Sequence, residues 1–230
     1  SSGTPNPFPF DPLAVNTNSP FSAKVAVSAF DPNFRVGYLQ FRTLALERQF
    51  PVNSMLRVAY VGSKGTSLWN SREYNYGHFV PGSSTLSNID SRRPIAGMGS
   101  VDVSESHGVS KYDSLQVTFV KRYSRGFTML TSYTWAKSLD NISQGRNSLS
   151  QPWPDNIRLN YGRSNFNLDH NLITSFVWDI PVFRSRTDWL GKAFGGWQWN
   201  GIASKSSGSM LTVLPGVATS MSGTGGERAD

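Results

Sequence analysis

Histidine is the first residue type to consider as a source of chemistry, and the chain has three: His78, His107 and His170. None has the spacing of a metal-binding motif, and none accompanies a glycine-flanked nucleophilic serine. Glu105 lies two positions before His107, and we interpret this pair as a hydrogen bond within a loop. We therefore expect no catalytic residue, no metal site and no cofactor, and we do not expect an enzyme.

The other polar residues also form no recognisable site for a metal, a disulfide or a nucleic acid. Asp140, Asp155 and Asp169 lie in one stretch rich in amides, but the EF-hand pattern for calcium is missing. The chain has no cysteine, which excludes disulfides and thiolate ligands. Its formal net charge of +7 is scattered, without a basic helix, a zinc finger or an aromatic RNA-binding motif. We therefore expect no nucleic-acid partner.

Aromatic side chains in polar stretches are the best candidates for ligand contact. Trp and Tyr present a large apolar ring with a polar edge, which suits stacking on sugars or peptides. They can equally pack loops against one another. The candidate ligand contacts are Trp69, Tyr74, Tyr76, Trp153 and Tyr161.

The elements that position these residues are β-strands, because apolar and polar residues alternate with a period of two. Tight-turn signals at Pro51–Ser54 and Ser124–Gly126 predict two hairpins. The predicted strands are Arg35–Phe50, Met55–Ser63, Tyr112–Tyr123, Phe127–Ala136, Asn171–Ile180 and Gly196–Ser206, with a possible short strand in Lys24–Phe30 and a possible helix at Trp189–Phe194. Long polar loops are predicted over Gly62–Lys111, interrupted by a possible short strand pair near Ser100–Glu105, and over Lys137–Asp169.

Short and long connections alternate, which is typical of a membrane barrel with short periplasmic turns and long extracellular loops. We thus predict an all-β fold, an antiparallel transmembrane β-barrel segment of about six strands. Residues 1–34 are predicted as an extended extracellular loop, 35–214 as barrel strands and loops, and 215–230 as a Gly/Ser/Thr-rich loop or tail. Aromatics near strand ends are predicted to lie at the membrane interface, where rings with a polar edge are favoured. These are Tyr123, Phe127, Tyr133, Trp135, Trp178, Trp197 and Trp199.

Several motifs, in order along nearly the whole chain, resemble those of Oar-like TonB-dependent receptors of the carboxypeptidase-regulatory-like family. They are Phe30–Arg35 (FDPNFR), Leu56–Thr66 (LRVAYVGSKGT), Arg92–Pro94 (RRP), Tyr112–Val117 (YDSLQV), Lys121–Arg122 (KR), Ser132–Ser138 (SYTWAKS) and Gly196–Ile202 (GWQWNGI). The resemblance implies a plugged barrel of about 22 strands in the outer membrane of a Gram-negative bacterium. It also implies outer-membrane lipid and an unknown extracellular ligand as partners, and a TonB energy-transducing complex acting through parts not in this chain.

Three alternatives remain open at this stage. A passive small porin would have the same alternation. A soluble or surface β-sandwich, acting as an adhesion or carbohydrate-binding module, would place the aromatics in its core. A structural protein that self-assembles through open strand edges is the third.

Overall fold

The computed structural model describes residues 25–143, 154, 156–182, 187–211 and 221–223. These residues form one mostly antiparallel sheet. Its strands are β1 (Val27–Phe30), β2 (Tyr38–Phe50), β3 (Ser54–Glu73), β4 (Val101–Ser124), β5 (Phe127–Asp140), β6 (Gly162–Arg163), β7 (His170–Asp179) and β8 (Gln198–Ser206). The path order is β2-β3-β4-β5-β7-β8, while β1 pairs in parallel with β4 and β6 pairs with β5.

Helical structure is limited to three short pieces among the described residues. The α-helix α1 spans Trp189–Phe194, as predicted, and the 3-10 helices span Asp90–Arg92 and Ile157–Asn160. The Asp188 side chain caps α1 by accepting a hydrogen bond from the Gly191 backbone N–H at 3.1 Å. No helix within the described ranges is long and apolar enough to cross a membrane.

The hairpin of β4 and β5 confirms the turn predicted at Ser124–Gly126. Arg125 and Gly126 both have positive φ, 54° and 76°, the conformation of a two-residue type I′ turn. A Cβ placed on Gly126 would lie 3.1 Å from the Asp179 carbonyl oxygen, so the turn also fits closely against the end of β7. Local backbone chemistry therefore fixes the register of this hairpin.

The two long polar loops are shorter than the sequence indicated. The prediction of a loop over Gly62–Lys111 is wrong at both ends, because β3 continues to Glu73 and β4 begins at Val101. Likewise β5 continues to Asp140, and β6 pairs with it inside the predicted loop Lys137–Asp169. These extensions carry polar residues on both faces, so backbone pairing is present without an alternating pattern.

The sheet has two chemically different faces. One, which we call the apolar face, carries large apolar side chains in register across neighbouring strands. Its middle row contains Leu46, Val58, Val117, Tyr133 and Leu172. The row toward the long connections contains Leu44, Tyr60, Leu115, Trp135 and His170. The row toward the short turns contains Arg48, Leu56, Phe119, Thr131 and Thr174. The opposite face, the polar face, has rows such as Ala45, Ala59, Gln116, Thr134 and Asn171.

Burial in this sheet is the reverse of burial in a soluble protein. Among the described residues the only buried apolar side chains are Ala59, Tyr76 and Ala136, and the largest fully buried side chain is Glu105. Leu46 is 72% exposed and Trp135 is 57% exposed. A β-sandwich buries its apolar face against a second sheet. In the part of the chain that the structure describes, no second layer covers the apolar face.

We predict that Gly126→Ala lowers the free energy of unfolding by about 1–2 kcal/mol, because a Cβ is strained at positive φ. Gly208→Ala is the matched control, since a Cβ added at Gly208 would have no atom within 4 Å and the φ of Gly208 is not in the left-handed region. Urea unfolding of both variants measures the difference. Equal effects at the two positions would contradict the turn assignment.

Candidate functional site

Buried polar side chains cluster at the end of the sheet where the long connections lie. We call this cluster the polar cap; it is built on the ends of β3, β4 and β5 and on the segments that follow them. Its buried members are Asn70, Glu73, Asn75, Glu105, Asp140, Asn141, Asn160, Ser164 and Asn167. Buried polar groups are stable only when hydrogen-bonded, so the network of the cap determines which residues are free to contact a ligand.

Glu105 is the centre of the cap and is fully buried. Its Oε1 accepts hydrogen bonds from Arg72 Nη2 at 2.7 Å, Arg72 Nε at 3.2 Å and the Tyr74 hydroxyl. Its Oε2 lies 3.1 Å from His107 Nδ1. The predicted contact between Glu105 and His107 is therefore present, but within β4 and not in a loop. Arg72 and Tyr74 occupy the other carboxylate oxygen.

The chemistry of this cluster fixes the Tyr74 hydroxyl as a donor. Burial and the hydrogen bond to the Glu105 carboxylate raise the pKa of Tyr74, and the Arg72 guanidinium only partly opposes them. Burial alone would lower the pKa of Arg72, but the hydrogen bond and negative charge of Glu105 raise it above its ordinary value. The guanidinium also lies 4.4 Å from the centre of the Tyr74 ring. The Tyr74 side chain is thus held by its hydroxyl and by its ring.

The segment between β3 and β4 is fixed by Asn75 and Arg93. The Asn75 amide donates to the carbonyls of Ile95 at 3.1 Å and Gly99 at 2.8 Å, and its Oδ1 accepts from the Ile95 N–H at 2.7 Å. Arg93 donates to the Gly99 carbonyl at 3.0 Å and to the Asn75 carbonyl. This connection therefore has a defined conformation without an apolar core.

The segment after β5 is held in the same way. The Ser164 hydroxyl donates to Asp140 Oδ2 at 2.6 Å, and Asn167 Oδ1 accepts from the Ser138 N–H at 2.6 Å. Hydrogen bonds from Asn167 and from Arg163 lower the pKa of Asp169. Among the described residues, no group of three or more His, Asp or Glu side chains could hold a metal ion. Asp155 lies outside the described residues.

A third segment joins the cap from beyond β8. The Gly77 N–H donates to the Ser222 carbonyl at 2.8 Å, and Arg92 Nη2 donates to the Met221 carbonyl at 2.5 Å. β8 is the last strand on the sheet path, five strands from β2. Residues 221–223 therefore return over the end of the sheet to contact the connection between β3 and β4.

The candidate ligand contacts do not form one cluster. Trp69 lies in β3, not in a loop, and its ring is 6.1 Å from that of Phe30 and 6.2 Å from that of Phe34. Tyr76 is buried, with its ring 4.9 Å from that of His78.

Of the other three candidates, Tyr74 is 43% exposed beside Glu105, and Tyr161 is 41% exposed after the second 3-10 helix. Trp153 lies outside the described residues. Phe30 and Phe34 are neighbours of Trp69 that were not among the predicted contact residues. The signal was available, because Phe30 and Phe34 flank the turn Asp31–Asn33 that brings their rings together.

The predicted interface aromatics are distributed over both ends of the apolar face. Phe127, Trp178 and Trp199 are in register across β5, β7 and β8 at the short-turn end. Trp135 is in register with Leu115 and Tyr60 near the other end. The Tyr133 hydroxyl lies 2.8 Å from His170 Nδ1.

The last two interface candidates lie at the short-turn end. The Tyr123 hydroxyl donates to Asp179 Oδ2 at 2.7 Å, and Trp197 Nε1 donates to the Ala193 carbonyl of α1 at 3.1 Å. The two aromatic rows are eight residues apart along β5, about 26 Å at 3.3 Å per residue. Because barrel strands are tilted by about 35–45°, the two rows are about 20 Å apart along the membrane normal, which lies within the apolar band of about 25 Å.

A family model described as an outer membrane beta barrel domain matches residues 1–230, the whole chain. No curated protein matches the chain, and no solved structure does.

We predict that Glu105→Leu lowers the free energy of unfolding by about 3 kcal/mol, because it leaves the part-buried Arg72 without its carboxylate. The double variant Arg72→Met with Glu105→Leu should recover most of this loss, since both charges are then gone. Thermal unfolding and protease cleavage of the polar cap measure the two variants. A double variant no more stable than Glu105→Leu would show that the ion pair does not hold the cap.

Proposed function

The chain belongs to the family of outer membrane beta barrel domains and lies in the bacterial outer membrane, and from this we propose that it is part of a TonB-dependent receptor. In this proposal the receptor takes up or exports a ligand that first binds at the extracellular end. The energy-transducing complex acts through parts of the receptor not contained in this chain. We propose no enzymatic activity for it.

The observation that carries the proposal is the polar cap. Three segments are fixed by buried hydrogen bonds at one end of the sheet. In outer-membrane barrels the long connections are extracellular. The cap is therefore a rigid surface exposed to the medium, as ligand capture requires. The ordered motifs of Oar-like receptors add support.

Trp69 and Tyr74 are the described aromatics best placed to contact the ligand. Trp69 is 37% exposed and forms an aromatic surface with Phe30 and Phe34, both of which are also exposed. Tyr74 presents its ring while its hydroxyl is held by Glu105. Tyr76 is a weaker candidate, because it is already buried.

A receptor barrel also needs more strands than this chain contributes. The six long strands leave β2 and β8 with one paired edge each within the described residues. An unpaired edge in lipid is costly, because no water can satisfy its backbone groups. We propose that both edges pair with further strands of the receptor, since barrel diameter grows with strand number and a plugged lumen needs about 22.

The test uses cells that produce the full-length protein. Glycan and peptide arrays first identify a ligand that the purified protein binds, and the labelled ligand is then followed on cells. We predict that surface binding survives collapse of the proton-motive force by a protonophore, while accumulation inside the cell stops. Trp69→Ala and Trp153→Ala should each weaken surface binding by about threefold to tenfold, from lost aromatic contact.

Trp199→Ala is the matched control, because Trp199 lies at the opposite end of the sheet and should leave binding unchanged. Accumulation that continues without the proton-motive force would favour a passive porin over the receptor. Unchanged binding in both Trp69→Ala and Trp153→Ala would remove these two residues from the ligand site.

A further inference from the structure

A group of cations lies on the apolar face just beyond its aromatic row at the long-connection end. The next row past Tyr60 and Trp135 contains Arg42, Gly62, Asp113 and Lys137. The row after that contains Gln40, Lys64, Lys111, Leu139 and Arg163, and the Arg163 guanidinium is already paired with Asp169 at 2.6 Å. We call Arg42, Lys64, Lys111 and Lys137 the cationic rim. Four cations thus surround a single carboxylate, that of Asp113.

The height of the rim places it among lipid headgroups. The Asp113 row lies two residues beyond the aromatic row, about 7 Å along the strand, which is about 5 Å along the membrane normal for a strand tilted by about 40°. The polar headgroup region is about 5–8 Å deep on each side of the hydrocarbon. Because the rim shares a face with the apolar rows, its side chains face the surrounding bilayer and not the lumen.

Asp113 organises two of the four cations. Its Oδ1 accepts a hydrogen bond from the Tyr60 hydroxyl at 2.5 Å and lies 3.6 Å from Arg42 Nη2, and its Oδ2 lies 2.9 Å from Lys111 Nζ. Gly62 makes this arrangement possible. A Cβ at position 62 would lie 2.7 Å from the Tyr60 hydroxyl oxygen and 2.9 Å from Arg42 Nε.

The other two cations, Lys64 and Lys137, are exposed and have no ion pair among the described residues. One carboxylate cannot neutralise four cations. At this level of the sheet the neighbours are lipids, so the anionic groups nearest to the exposed cations outside the protein are those of the headgroups. A guanidinium held in place and several ammonium groups together are well suited to bind phosphate.

We propose that the cationic rim binds the phosphate groups of an outer-leaflet lipid, with Arg42 and Lys111 oriented by Asp113 and with Lys64 and Lys137 completing the site. The phosphate-bearing lipid lies with its acyl chains against Leu44, Leu115 and Trp135. This site is separate from the polar cap and does not depend on the proposed transport function.

The test is native mass spectrometry of the full-length protein in detergent, titrated with bisphosphorylated lipid A. Each rim cation removed should weaken lipid A binding about fivefold relative to the wild type, which is the effect of one Lys or Arg near an anionic lipid surface. Lys64→Gln with Lys137→Gln is the leading variant, because neither lysine has an ion pair that the described fold would lose. An unchanged shift in gel mobility on heating confirms that this variant still folds.

Arg48→Gln is the matched control. Arg48 lies on the same face but its guanidinium is 5.4 Å from the Phe50 ring, toward the short-turn end. Arg48→Gln should bind bisphosphorylated lipid A as strongly as the wild type does. As a second control, the wild type should bind dephosphorylated lipid A much more weakly.

Three results would overturn the proposal. Undiminished binding by the double lysine variant would show that the rim does not hold the lipid. An equal loss in Arg48→Gln would show a general charge effect. Displacement by inorganic phosphate at the same concentration would assign the rim to free phosphate and not to a lipid.

Discussion

Backbone hydrogen bonding in the absence of water is the constraint on which the rest of this structure depends. Each N–H and C=O group within hydrocarbon must be paired by protein, and strands achieve this only by pairing with neighbours on both sides. The long antiparallel ladders between β2 and β8 satisfy that demand, and the edges of β2 and β8, unpaired among the described residues, define where further strands are required. Beyond the hydrocarbon this constraint no longer applies, and β3 and β4 nevertheless stay paired up to the polar cap.

The polarity of the side chains on each face of the sheet is set by the medium that the face contacts. Lipid requires apolar groups, so Leu46, Val58 and Val117 lie on the outer face where a soluble protein would bury them. Charged side chains on this face lie near its two ends. At the short-turn end the Lys121 ammonium donates to the Val52 carbonyl, and at the other end the cationic rim lies beyond the aromatic row. Above the bilayer the order is reversed, and Glu105 and its neighbours form a buried polar centre in place of a hydrophobic core.

Sequence reasoning found the parts of the fold that local chemistry determines. The turn at Arg125 and Gly126, the helix at Trp189–Phe194 and the alternating faces of β5 were all readable from residue type and spacing. The second half of β3 could not be predicted, because its mostly polar residues lie beyond the membrane and do not alternate with apolar ones. The convergence of Arg72 and Tyr74 on Glu105 also could not be predicted, since it depends on irregular register between Gly65 and Asn70.

The most direct test of this account asks which face of β5 contacts lipid. Thr131 and Ser132 are adjacent, similar in size and polarity, and lie on opposite faces midway between the aromatic rows. Because the chain has no cysteine of its own, Thr131→Cys and Ser132→Cys can each carry a fluorescent label in a bilayer containing brominated lipid. The account predicts strong quenching at position 131 and weak quenching at position 132. Stronger quenching at position 132, or none at either position, would contradict it.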